Sequence, residues 1–246
     1  MTKKIAITQL FGLSCTLFIP IFSQAKQAQP EDTEIWQPVP KQVNPYPIPA
    51  DAKILFAGEN LERWVDEQGK TPSWKVMNGE FHHSGKSKKI FSKDKFCNMQ
   101  LHVEWRTPEV DQSREGQRRG NSGIKIQNRY EIQILDSYNN PTYVNGQAAS
   151  IYKQSAPLVN ASLPPLTWQS YDIIYQAPSF DTSGEVTSKA YVTVLHNGVL
   201  VQNHVELAGS TAFIGQPKYK QHGCDSIQIQ FHGSKVSFRN IWLREL

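Results

Sequence analysis

The sequence predicts an all-β fold, a two-sheet antiparallel sandwich built as a single domain. Three observations predict it. From Lys53 onward, short segments alternate apolar and polar residues with the period of two that marks half-buried strands. Gly, Pro, Asn and Asp break these segments at short intervals and supply the turns. Helical periodicity is nowhere sustained, a short turn at Leu61 to Trp64 being the local exception. Helix-poor alternation of this kind buries its apolar faces by stacking one sheet on another.

The elements follow in chain order. Residues 1–25 read as a cleaved signal peptide, with Lys3 and Lys4 before a mostly apolar run from Ile5 to Phe22. Ser23 and Ala25 then place small residues where signal peptidase prefers them, so a periplasmic or secreted protein is expected. Residues 26–50 form a Pro-rich leader containing Pro30, Pro38, Pro40, Pro45, Pro47 and Pro49, poor in backbone donors. The domain spans 51–246. Its strands are expected at 53–56, 74–77, 80–83, 101–105, 171–175 and 189–196. A strand pair is expected within 123–135, joined by a tight connection at 127–130. Asn197 and Gly198 make a hairpin turn into 199–202, and strands at 226–232 and 236–244 close the chain. Two irregular stretches, 107–120 and 137–168, interrupt the pattern; loops of this length in a compact domain are usually functional or mobile, and both flank the 121–136 segment.

Charge and cysteine usage exclude several classes. Removing Lys3 and Lys4 from the 26 basic residues leaves 24 against 22 acidic ones, which gives no reason to expect nucleic acid or an anionic membrane as partner. No second long apolar stretch follows the leader, so no membrane span is expected in the mature chain. Cys97 and Cys224 remain after cleavage, either as a disulfide permitted by export or as two buried thiols. The 7 histidines show no metal-binding spacing, and His82 and His83 point to opposite faces of a strand. No metal site is expected, although a divalent cation remains an alternative for holding sugar oxygens.

The informative segment is 121–136. Ile124, Ile126, Ile132 and Ile134 take one face, leaving Lys125, Gln127, Glu131 and Gln133 on the other. The same parity puts Glu104 and Arg106 opposite Val103 and Trp105, and Gln230 and His232 opposite Ile229 and Phe231. If these strands share a sheet, its open face gathers Glu104, Arg106, Lys125, Gln127, Glu131, Gln133, Gln230 and His232. Carboxamides, carboxylates, Arg and His match the fixed donors and acceptors of sugar hydroxyls. Glu104 with Arg106 also reads as a surface ion pair, His232 as a turn residue, and Asp136 with Ser137 as a strand end.

The segments Asn121–Ile124, Gln127 and Arg129–Tyr138 resemble the hallmark of the 3-keto-disaccharide hydrolase domain family, formerly a domain of unknown function. Leu55–Gly58, Trp74–Val76, Leu101–Pro108, Pro157–Asn160, Trp168–Asp172, Asn197–Gln202, His232–Gly233 and Phe238–Arg244 agree in order, so the resemblance covers nearly the whole mature chain. It implies a concanavalin-like jelly roll and action on glycosides whose C3 hydroxyl is oxidised to a ketone, with a sugar 3-oxidoreductase upstream. The sequence departs from the family pattern at four positions. Lys125 stands where an aromatic is usual, Phe231 for Asp, and Lys153 and Cys97 for Gly. A ketone at C3 acidifies the C2 proton, so Glu131 is expected as general base. Gln133, Asn121 or Arg106 would stabilise the enolate oxygen, and His232 would protonate the departing oxygen. Lys125, Gln127, Asp136 and Gln230 complete the expected substrate contacts. The rival expectations are a non-catalytic carbohydrate-binding module and an envelope interaction protein tethered by its leader.

Overall fold

A computed structural model describes residues 29–246; the signal peptide expected at 1–25 lies outside the described residues. Residues Val43–Leu246 form one compact unit. The described part of the preceding unit carries a short 3-10 turn at Pro30–Thr33 and exposes Ile35 and Trp36.

The compact unit is an all-β antiparallel sandwich, consistent with a jelly roll. Its strands are β1 (Lys53–Phe56), β2 (Trp64–Val65), β3 (Lys75–Met77), β4 (Glu80–His82), β5 (Lys89–Ser92), β6 (Met99–Arg106), β7 (Ser122–Ile126) and β8 (Tyr130–Ile134). They continue with β9 (Gln169–Gln176), β10 (Ser179–Phe180), β11 (Val186–Ser188), β12 (Tyr191–His196), β13 (Val199–Glu206), β14 (Gln228–Phe231) and β15 (Ser237–Glu245). One sheet runs β13-β12-β9-β6-β15-β4-β3, with β1 also on β15; the second runs β2-β5-β14-β7-β8, and β10 and β11 pair in a separate two-stranded sheet.

The inward residues of both sheets make the core. β6 alternates strictly, with Met99, Leu101, Val103 and Trp105 buried, and Tyr171, Ile173 and Tyr175 answer from β9. Ile124, Ile126, Ile132, Ile134 and Ile229 face them from the smaller sheet. Burying side chains of this size stabilises the fold by about 1.5–3 kcal/mol each. Two tyrosines tie the layers through polar bonds: Tyr171 Oη donates to the Gln133 carbonyl at 2.8 Å and Tyr175 Oη to Gln127 Oε1 at 2.8 Å. Cys97 and Cys224 form a disulfide with Cα atoms 4.6 Å apart, joining the lead-in of β6 to the segment before β14.

Sequence parity went wrong at two places. The polar face expected on one sheet is divided between two. β6 belongs to the larger sheet, where Glu104 accepts from Arg239 at 2.5 Å and Arg106 pairs with Glu80 at 2.7 Å rather than with each other. Gln127 opens the β7–β8 turn with φ +49°, followed by Asn128 at +56°. Leaving the extended conformation breaks the alternation, and the Gln127 carboxamide turns into the core, donating to the Phe96 carbonyl at 3.0 Å.

Candidate active site

A cavity of about 1020 Å³ opens over the outer face of the smaller sheet. Strand register builds its floor. Gln228, Lys125 and Glu131 lie in one cross-strand row, and Lys89, Gln230, Gly123 and Gln133 in the next. Gly123 leaves open the space into which the ends of Gln230 and Glu131 reach. A Cβ at that position would stand 2.5 Å from Gln230 Nε2 and 2.6 Å from Glu131 Oε1. The vacated space lets Gln230 Nε2 donate to Glu131 Oε1 at 2.5 Å.

The irregular segments form the walls. Gln117 comes from the 107–120 stretch, Tyr143, Tyr152 and Lys153 from 137–168, and Thr211 and Phe213 from a third loop. Backbone bonds clamp the second stretch along β8: Gln133 N–H donates to the Ser150 carbonyl, Ala149 N–H to the Gln133 carbonyl and Tyr152 N–H to the Glu131 carbonyl. That cover buries both faces of β8 and leaves Glu131 only 6 % exposed. Lys88, Lys89, Phe231 and His232 line the opposite side.

Glu131 is the only carboxylate lining the cavity among the described residues. Burial raises its pKa above the ordinary glutamate value, against the opposing pull of Lys125, whose Nζ lies 3.5 Å from Oε2, and of Gln230. A carboxylate displaced upward towards neutrality is suited to accepting a proton there. His232 stands at the solvent-reached rim, yet partial desolvation lowers its pKa, and Lys125, Lys89 and Lys88 lower it further. Gln133 Nε2 donates to Gln117 Oε1 at 3.0 Å, while its buried Oε1 has no donor among the described residues. Buried carboxamide oxygens are rarely left so. Asn121 Nδ2 donates to the Gln117 carbonyl at 2.6 Å, fixing the end of the first flap at the cavity wall.

Of the expected site residues, the cavity brings together Asn121, Lys125, Glu131, Gln133, Gln230 and His232. Arg106 lies on the larger sheet with its guanidinium on Glu80 and against the Trp168 ring, and Gln127 lies in the core. Asp136 lies just beyond the end of β8, accepting from Arg119 Nε at 2.6 Å, and lines a smaller cavity of about 260 Å³ beyond Gly233. It anchors the 107–120 flap. Sequence parity missed Lys88, Tyr143, Tyr152, Thr211 and Phe213, which lie in loops or just before a strand, where period-two alternation carries no signal. Among the described residues, no cluster of three or more His, Cys, Asp or Glu is placed to hold a metal ion. One carboxylate ringed by lysines is also a poor donor set for a divalent cation.

A family model described as a 3-keto-alpha-glucoside-1,2-lyase-like domain matches residues 51–244. The chain belongs to this family. Its fold is shared with a candidate glycosyl hydrolase from Parabacteroides distasonis ATCC 8503, at 46% identity and a TM-score of 0.85, covering 89% of this chain and 97% of that one. Two other candidate glycosyl hydrolases from the same organism share the fold at 18% and 22% identity, with TM-scores of 0.57 and 0.55. They cover 79% of this chain, and 94% and 99% of their own. No curated protein matches the sequence. By family and fold the protein is glycoside hydrolase-like.

Proposed function

We propose that this protein cleaves the glycosidic bond of 3-keto-glycosides by elimination across C1 and C2, followed by addition of water. The observation that carries the reading is the solitary buried carboxylate. A direct glycosidase sets two carboxyl groups across the scissile bond, and this cavity has Glu131 alone. A 3-keto sugar needs one base, because the ketone acidifies the neighbouring C2 proton. Glu131 takes that proton, the electron pair forms the C3 enolate, and its return expels the aglycone oxygen from C1. Water then adds to the enone to give the free 3-keto sugar. The family's lyase description supports the elimination half of this sequence.

Lys125 replaces Arg106 as the cationic partner in this scheme, since its ammonium already lies beside Glu131 and reaches a developing enolate. Gln133 and Gln230 orient the ring hydroxyls. His232, held mainly neutral, offers an N–H to the departing oxygen. The step is written without a metal ion. The Cys97–Cys224 disulfide supports export to an oxidising compartment, the periplasm or beyond, where an oxidoreductase must supply the C3 ketone.

Aglycone release from 3-keto-glucosides and from their unoxidised parents tests the reaction. Release from the keto forms alone supports it. Equal release from the parents, or binding of parents with no release from either, overturns it; the latter result would mark a carbohydrate-binding module.

A further inference from the structure

The cavity carries far more positive charge than its proposed chemistry requires. Lys88, Lys89, Lys125 and Lys153 line it against Glu131 alone. Lys125 is occupied by Glu131, but Lys88 and Lys89 are exposed and form no ion pair among the described residues. Glu67 accepts the Lys88 backbone N–H at 3.0 Å and does not line the cavity. Lys153 is built in at a cost: it adopts φ +59°, a conformation that favours glycine, while its Nζ donates to the Phe213 carbonyl at 2.7 Å and lies 4.2 Å from the Phe213 ring centroid. Tyr143 and Tyr152 flank it, so one wall offers ring faces to a sugar and the other offers free ammonium groups.

We propose that the glycoside bound here carries an anionic group, a carboxylate or a sulfate ester, which Lys88 and Lys89 receive at the mouth while the oxidised ring lies against Glu131. This rests on the keto-glycoside reading for the reacting ring, but the charge selection stands on the lysines alone. A cleft lined by one sign of charge concentrates ligands of the other, and more strongly at low salt.

The test compares 3-keto-glucosides whose aglycone is glucose, glucuronate or glucose 6-sulfate. Calorimetry on the three unoxidised parents, at low and high salt, runs beside it. The acidic compounds should bind and turn over roughly tenfold better than the neutral one at low salt, with the margin shrinking in high salt. The Lys88→Gln/Lys89→Gln variant, its fold checked by thermal melting, should lose that ratio. The glucuronate and sulfate arms identify which anion is read. Cleavage of all three keto forms with equal efficiency would overturn the charge proposal and leave the reaction standing. Tighter binding of acidic parents with no cleavage of any keto form would uphold the charge proposal and remove the reaction.

Discussion

Glu131 concentrates the opposing demands on this site. Its carboxylate must ionise to act as a base, yet burial disfavours the ion more than Lys125 and Gln230 favour it. Because folding raises its pKa, the folded state holds this proton more tightly than the unfolded chain does. Its contribution therefore favours folding at pH below the unfolded glutamate value, and is lost as pH rises through the raised folded value. Two outcomes are expected. The rate with a 3-keto-glucoside should rise with pH through an inflection above the ordinary glutamate range. Glu131→Gln should lower turnover by about 10²–10⁴-fold while raising the melting midpoint at neutral pH, since it removes a buried ion and keeps the side chain's shape. A lower midpoint would mean that the Lys125 contact outweighs desolvation. Glu131 was legible in the sequence because β8 holds its alternation to the end. Gln127 was not, because whether a turn residue keeps or leaves that alternation depends on a backbone angle invisible to periodicity.

At the scale of elements, the site depends on what the β7–β14 contact leaves out. Gly123→Ala should drive its methyl into Gln230 and Glu131, costing about 1–3 kcal/mol of stability in denaturant titration and displacing the base. Activity should fall far more than the modest stability loss explains; unchanged kcat/KM would show that the Gln230–Glu131 bond has no part in positioning the base. The long alternating strands were readable from the sequence, β6 and β9 above all. β5 was not, for its lysine-rich approach Lys86, Lys88 and Lys89 reads as loop, and only Ile90 and Ser92 are buried in the strand. Missing β5 also hid Lys88 and Lys89 from the list of cavity residues. Sheet membership was the other gap: parity says which residues share a face of a strand, and nothing about which strands are neighbours, so Glu104 and Arg106 were joined to a site on the opposite sheet.

Over the whole molecule, the two layers are held by a shared apolar core, by tyrosine bonds across it and by the disulfide. Cys97 and Cys224 are 127 positions apart, and a crosslink closing so long a loop is worth about 2–5 kcal/mol. Reduction should lower the midpoint of chemical unfolding accordingly while leaving the antiparallel sheet signature in circular dichroism; an unmoved midpoint would show that the bond adds nothing to the packed core. The cavity forms where three irregular segments converge on one outer sheet face, so the sheet supplies the floor and the loops supply walls. The proposed reaction turns on removal of the C2 proton of a 3-keto sugar by Glu131. The most direct measurement is the isotope effect on aglycone release from a 3-keto-glucoside deuterated at C2, with Glu131→Gln alongside. Slower release of the deuterated substrate by the native protein, and negligible release by the variant, are expected. Equal rates for the two substrates, with the variant as fast as the native protein, would contradict it.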